Sequence, residues 1–239
     1  MIDLHCHFLP GIDDGPESME EAVRLAVHAV ESGISRSVLT PHVHPGRYEN
    51  HKLSIRTAFE SYAEELEKRG IPLRLSFAAE VRVGPEIIPM IENEEIPFLG
   101  KLGDHDILLL EFPHGNVPLG SEKLVTWLLS RNIRPLIAHP ERNKDILRNF
   151  ERIIPFVRMG CLLQVTAGSV SGLFGMHARK AAVKLLEKGW VYALASDAHN
   201  LEHRPPEMEQ GRIEAEKILG SQASRALVRE NPATILGLN

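Results

Sequence analysis

Ile2-Asp3-Leu4-His5-Cys6-His7 decides how this chain is read: a short apolar run that ends in two histidines two positions apart. In an extended strand residues i and i+2 share a face, so His5 and His7 point one way and Cys6 the other. Two imidazoles placed in this way suit a single cation. Downstream, the pattern of a short apolar run followed by an amphipathic helix recurs through the chain. With Ile2–His5 at the start, the strand candidates are Ser37–Thr40, Leu73–Ala79, Ile107–Leu110, Arg134–Ala138, Leu162–Val165 and Val191–Ala195. Runs of this length bounded by turn signals fit strands buried on both faces.

The segments between them read as helices. Ser18 and Glu21 make a capping-box pattern, after which Met19, Ala22, Val23, Ala26 and Val30 repeat at helical spacing up to Gly33. Asn50 is placed to cap a second helix whose Ile55, Phe59, Tyr62 and Leu66 share a face. Ala178, Ala181, Ala182, Leu185 and Leu186 form another such face before Gly189. Pro155 is expected to split the helical stretch after Asp145, and Asn231-Pro232 reads as a cap with proline at the first helical position. Repeated strand–helix alternation argues for an α/β fold with a parallel sheet, open or closed.

The polar residues favour closure. The first strand runs into His5 and His7, the second into His42, the third into Glu80, the fourth into Glu111, the fifth into His139, and the seventh into Asp197 and His199. In a closed parallel barrel every carboxyl end opens on one mouth, where active sites are built. An open sheet would scatter the same groups along an edge.

A lone histidine or acid at a strand end is ordinarily a hydrogen-bonded structural residue, and His28, His51, His105, His114 and His177 are read that way. Convergence is what changes the reading of the others. Asp14, Glu80, Glu111 and Asp197 would bring four carboxylates to one mouth, repelling by about 4 kcal/mol per close pair at an effective dielectric of 20. Bridging divalent cations are an economical compensation. Oxygen and nitrogen donors without thiolate fit manganese, iron or zinc.

The chain has 239 residues, a length that one barrel domain spanning 1–239 accommodates whole. A net charge of −5 leaves no basic footprint for nucleic acid. The two cysteines, Cys6 and Cys161, cannot form a disulfide framework, and a reducing cytoplasm is the expected location. Neither begins a CX5R phosphate loop, since Ile12 and Ala167 stand where the arginine is needed. Asp3, His5 and His7 interrupt any signal-peptide core, and the apolar strand Ile107–Leu110 is too short to insert in a membrane.

With His5-Cys-His7, Asp14, His42, Glu80, His139 and Asp197-Ala-His199 in this order, the chain resembles the PHP (polymerase and histidinol phosphatase) superfamily. Asp3-Leu-His-Cys-His7, Asp13-Asp14-Gly15, His139-Pro-Glu-Arg142-Asn143 and Ser196-Asp-Ala-His-Asn200 are similar to its bacterial CpsB/YwqE-type tyrosine-phosphatase branch. The resemblance covers essentially the whole chain. It implies a distorted seven-stranded (β/α)7 TIM-like barrel and a site for three divalent metal ions, with Mn2+ the first expectation and Fe or Zn the alternatives. One cation would be held by His5, His7, Glu80 and Asp197, a second by Glu80, Glu111 and His139, and a third by Asp14, His42 and His199. Glu111, where many superfamily members carry histidine, favours the tyrosine-phosphatase branch. Asp13 is a weaker ligand candidate than Asp14, and Asp3 is expected to orient a histidine from behind.

The activity implied is hydrolysis of phosphotyrosine by a metal-bound hydroxide, with Arg142 and Arg204 gripping the phosphoryl oxygens. Asp197 or His199 is a candidate to protonate the leaving oxygen, and Arg47-Tyr48 either lines the substrate cleft or forms a plain surface loop. The implied partner is a phosphotyrosine protein, a bacterial tyrosine kinase tail of capsular or exopolysaccharide synthesis. Competing readings are a small-molecule phosphatase of the same fold, of the histidinol-phosphate type, and a non-catalytic metal-binding module. The nine filled ligand positions count against the module. An amidohydrolase barrel commonly has a carboxylated lysine on its fourth strand, which here ends in Glu111.

Overall fold

The computed structural model describes residues 1–238. In chain order the strands are β1 (Ile2–Cys6), β2 (Arg36–Leu39), β3 (His42–Val43), β4 (Arg74–Phe77), β5 (Glu80–Arg82), β6 (Gly100–Leu102), β7 (His105–Glu111), β8 (Ile133–Ala138), β9 (Leu162–Thr166) and β10 (Val191–Ala195). One sheet runs β1-β2-β4 and another runs β3-β5-β7-β8-β9-β10, all parallel, with β6 added as an antiparallel flap on β7.

The two sheets are parts of one ring. β2 and β3 are halves of one strand interrupted at Thr40-Pro41, and β4 and β5 are halves of another interrupted at Ala78-Ala79. Backbone hydrogen bonds bridge both interruptions: Thr40 N–H donates to Cys6 O at 2.8 Å, Ala78 N–H to Leu39 O at 2.9 Å and Glu80 N–H to Pro41 O at 3.1 Å. Proline offers no N–H of its own to a ladder, which accounts for the break at position 41. At the other side Cys6 bridges Ala198 in parallel register, His7 N–H donates to Ala198 O, and Asp197 N–H donates to His5 O, each at 2.8 Å. These contacts join the last strand to the first. The barrel expected from the sequence is therefore present in distorted form.

Helices cover the outside. α1 (Met19–Glu31) follows β1, α2 (Lys52–Lys68) follows β3, α3 (Ile87–Glu92) follows β5 and α4 (Ser121–Leu129) follows β7. α5 (Lys144–Arg148) and α6 (Ile154–Arg158) follow β8, and α7 (Ala167–Ser171) and α8 (Gly175–Glu187) follow β9. α9 (Glu209–Leu219), α10 (Ser221–Ala226) and α11 (Glu230–Ile235) close the described chain. The core has two compartments, as alternation along β7 shows. Ile107 and Leu109 belong to the cluster inside the barrel with Val38, Leu136 and Ala193, whereas Leu108 and Leu110 pack in the larger cluster that includes the helices. Continuing the inward series by two residues puts Glu111 at the mouth.

Several local expectations hold, and others are corrected. Ser18 and Glu21 do form a capping box at α1. At α2 the cap is His51, not Asn50. Asn50 is buried, and its amide donates to the carbonyls of Ile12 and His42 at 2.8 and 2.9 Å, tying two mouth loops together. The break after Asp145 falls at Asn149, which caps a short 3-10 turn, while Pro155 lies in the first turn of α6, where its missing N–H costs nothing. Asn231 lies inside α11 and donates to Tyr192 O at 2.8 Å. Both cysteines are free and buried, and burial pushes the Cys161 thiol up to about 12. Among the described residues no helix is long and apolar enough to cross a membrane.

Asn50→Ala removes the donor that satisfies two loop carbonyls, so we expect a loss of about 1–3 kcal/mol, read as a melting temperature lower by about 2–4 °C per kcal/mol. An unchanged melting temperature would remove Asn50 from the loop scaffold.

Candidate metal centre

All nine candidate ligands meet at the carboxyl mouth of the ring. His5 lies within β1 and His7 just past it, with Cys6 turned outward into the helix-side core. His42 and Glu80 open the resumed half-strands β3 and β5, and Glu111 ends β7. His139 follows β8, and Asp197 and His199 follow β10. His139 and Asp197 hold left-handed backbone, φ 31° and φ 53°. Such a conformation costs about 1–3 kcal/mol for a non-glycine residue and persists where the surroundings impose it. Here it turns both side chains back over the mouth.

Hydrogen bonds on the far ring nitrogens fix what faces inward. His5 Nδ1 contacts Gln164 Oε1 at 2.9 Å, and the same oxygen accepts His139 N–H at 3.3 Å. His7 Nδ1 contacts Asp13 Oδ2 at 2.7 Å, and His199 Nδ1 contacts the Asp197 carbonyl at 3.0 Å. In the neutral form of each ring the Nδ1 would therefore carry the proton, leaving the Nε2 lone pair pointing into the centre. There His5 Nε2 and His7 Nε2 stand 3.1 Å apart. Glu80 Oε2 lies 3.3 and 3.4 Å from them, and Asp197 Oδ1 3.3 and 3.5 Å. Four acceptors face one another. His199 Nε2 likewise faces Asp14 Oδ1 at 3.3 Å. Glu80 Oε2, Glu111 Oε2, Asp197 Oδ1 and His199 Nε2 are buried beside ion-pair neighbours but make no aligned hydrogen bond. Ligands about 2.1 Å from a common ion stand roughly 3.0–3.4 Å from each other, so this donor set fits divalent cations.

Overlapping subsets of the nine lie close enough to share an ion: His5, His7 and Glu80; His7, Asp14, His42 and His199; His5, His139 and Asp197; and His42, Glu80 and Glu111. Two contacts tie these subsets together. Glu80 splits its oxygens, Oε1 going to His139 Nε2 at 2.8 Å and Oε2 to His42 Nδ1 at 2.9 Å, while Arg82 Nε holds Glu111 Oε2 at 2.8 Å.

A cavity of ≈ 360 Å³ opens above the cluster, lined by Asp14, His42, Glu111 and His139 together with Arg142, Arg204 and Phe174. Arg142 and Arg204 both donate to Asp197 Oδ2, Arg204 at 2.6 Å. The model of the family described as capsular polysaccharide synthesis, CpsB/CapC, matches residues 1–237. The chain belongs to the CpsB/CapC family. Tyrosine-protein phosphatase YwqE of Bacillus subtilis strain 168 is 34% identical over 236 residues, which cover 99% of this chain and 91% of the relative. A solved structure from work on YwqE of Bacillus subtilis and CpsB of Streptococcus pneumoniae, described as metal-dependent tyrosine phosphatases, matches with TM-score 0.92 and 33% identity over 100% of this chain and 95% of that one. The histidinol phosphate phosphatase of Lactococcus lactis shares the fold alone, at TM-score 0.58 and 12% identity over 93% of each chain.

Within this CpsB/CapC chain, the residues that orient the ligands were partly missed by sequence reasoning. Asp13 is a positioning residue, bound to His7 Nδ1 and accepting His42 N–H at 3.0 Å. Gln164 does the same for His5 from 159 residues away, on the one strand whose end carries no ligand. Asp3, expected to orient a histidine, instead accepts from Ser196 N–H and Oγ at 3.0 and 2.5 Å and from His5 N–H at 3.3 Å, so it fixes backbone rather than a ring. Gly15 has no room for a side chain, since a Cβ there would stand 2.3 Å from the His7 carbonyl oxygen. Tyr48 stacks on His42 with ring centroids 5.5 Å apart, and Arg47, whose Cζ lies 4.9 Å from the Tyr48 ring centre, is the member of that pair that lines the cavity.

Without cations, the carboxylates draw protons onto the imidazoles. Burial alone would lower His42 and His7, but Glu80 lifts His42 to about 9 and Asp13 lifts His7 well above its usual value. Burial and the nearby Glu80 raise Glu111 to about 7. Burial and Arg142 lower His139 to about 4, and burial and His7 lower His199 to about 4. A cation must displace the protons on His7, His42 and Glu111. We therefore expect Mn2+ binding to the stripped protein to release about two to three protons near pH 7 and to tighten as pH rises from about 6 towards 9. Calorimetry in buffers of different ionisation enthalpy reads both, and a pH-independent affinity would contradict the assignment.

Proposed function

We infer that this chain is a metal-dependent protein-tyrosine phosphatase of capsular or exopolysaccharide synthesis. The observation that carries this reading is the ring of facing nitrogens and oxygens on His5, His7, Glu80 and Asp197 beneath a cavity whose lining includes Arg142, Arg204 and Phe174. The match to metal-dependent tyrosine phosphatases over the whole chain supports it. His5, His7, Glu80, Asp197, His139, Glu111, Asp14, His42 and His199 would hold three divalent ions, Mn2+ first among them. When bound, such ions acidify water for attack on phosphorus and neutralise phosphoryl charge.

The remaining work falls to the chain's own side chains. Arg142 and Arg204 present guanidinium groups towards the cavity, and their common anchor on Asp197 Oδ2 aims both at one place. Guanidinium forks match phosphate oxygens and stabilise charge developing on them. Phe174 lies against Arg142, with Cζ 4.7 Å from the ring centre, and offers a flat wall to an aryl group. Burial alone would raise Asp197, but Arg142 and Arg204 hold it well below the usual carboxylate range. His199 is neutral at pH 7 and gives its one N–H to the Asp197 carbonyl, so neither residue has an acidic proton for the leaving oxygen. A phenolate, with a pKa of about 10, departs without much help. The substrate proposed is the phosphotyrosine tail of a polysaccharide-regulating tyrosine kinase in the cytoplasm, a location that suits two free buried thiols.

Chelation should abolish hydrolysis of p-nitrophenyl phosphate and of a phosphotyrosine peptide, and a divalent ion should restore both. Turnover that persists after complete metal removal, shown by elemental analysis, would end this reading. Faster hydrolysis of histidinol phosphate than of the peptide would favour the small-molecule alternative. Arg204→Ala should lower kcat by about 10²-fold with metal content nearly intact; loss of metal instead would make Arg204 a structural clamp on Asp197.

A further inference from the structure

The loops that wall the catalytic cavity continue outward into an apolar cleft. Arg82 and Phe112 line the cavity. One residue beyond Arg82, the chain enters a separate cleft of ≈ 540 Å³, walled by Val83, Pro85, Ile88, Pro118, Leu119 and Trp127. Val83 N–H donates to Glu111 O at 2.8 Å, so the loops after β5 and β7 leave the mouth side by side. Trp127 is braced by Arg131, whose Cζ lies 3.9 Å over its ring. Leu119 is 100% exposed. A single exposed leucine is ordinary, but one that completes an apolar wall beside a tryptophan marks a contact surface. Lys123 is the charged residue in this lining.

We propose that this cleft seats the polypeptide flanking the phosphotyrosine, with an apolar side chain against Leu119 and Trp127 and an acidic one beside Lys123. The proposal rests on the phosphatase reading above and extends it from the phosphorylated residue to its neighbours. Continuity with the cavity supports it, because Arg82 in the cavity wall and Val83 in the cleft wall are consecutive residues. A peptide residue about three or four positions from the phosphotyrosine reaches the cleft. Charge supports it too. Arg47, Arg82, Arg142 and Arg204 line the cavity, and Lys123 continues the same sign into the cleft. An acidic segment is steered along such a path. Leu173 and Met176, 56% and 59% exposed, flank Phe174 of the cavity wall in the chain and add apolar surface beyond the phosphate site. A small phosphate ester would touch neither.

The test uses the metal-loaded full chain and two phosphotyrosine peptides. One carries Leu and Asp at the third and fourth positions on each side, and the other carries Ser there. The wild type should prefer the Leu/Asp peptide by about 10-fold in kcat/KM. Leu119→Asp and Lys123→Glu, both at exposed positions, should remove that preference and leave p-nitrophenyl phosphate turnover unchanged. Equal rates on the two peptides, a preference that survives in both variants, or a matching loss on p-nitrophenyl phosphate would each overturn the proposal. So would a wild-type dimer that Leu119→Asp dissociates in light scattering, which would assign the cleft to self-association. A wild type that hydrolyses none of the three substrates would sink the phosphatase reading itself, and this proposal with it.

Discussion

Glu80 is fully buried, and its carboxylate contacts His139 through one oxygen and His5, His7 and His42 through the other. A carboxylate sealed from water costs several kcal/mol unless positive charge and hydrogen bonds surround it. Four imidazoles from three strands are gathered here around that one group. Most of the mouth follows from this requirement. The ring must close to bring His5 beside His139, the strand holding Glu80 must break at Ala78-Ala79 to re-aim, and His139 must adopt left-handed backbone to reach it. Protons or cations must supply the balancing charge, and the lone-pair geometry favours cations.

Arg142, Arg204 and Asp197 extend the arrangement from cations to anions. One oxygen of Asp197 faces His5 and His7, and the other receives both arginines. A group shared in this way links the two functions, since whatever binds on one side alters the charge felt on the other. By reciprocity, occupancy by a phosphate and occupancy by metal affect each other equally.

How much of this was legible in the sequence depends on the range of the interactions involved. The strands stood out because apolar runs bounded by turns leave a local pattern, and the ligands stood out because they sit where those runs end. His7, Glu111 and His139 were found in this way. Gln164 was not, because it lies inside an apolar strand and its partner is 159 residues away. Asn50 was misread as a cap because its hydrogen bonds go to Ile12 and His42 rather than to the adjacent helix. The breaks in the second and third strands were also invisible, although Pro41 marked one of them. The contacts inside the cluster were beyond sequence reading, since how Glu80 splits its oxygens and how Arg82 grips Glu111 depend on the folded mouth.

The joint between β1 and β10 deserves a wider view. It is short, and it is where sequence-distant ends of the polypeptide are stitched: His7 to Ala198 and Asp197 to His5. The suture is flanked by candidate ligands, His5 and His7 on one edge and Asp197 on the other. Without cations these edges would attract through protons held between the imidazoles and the carboxylate. Alkaline conditions, which strip those protons, would then slacken the seam of the cylinder.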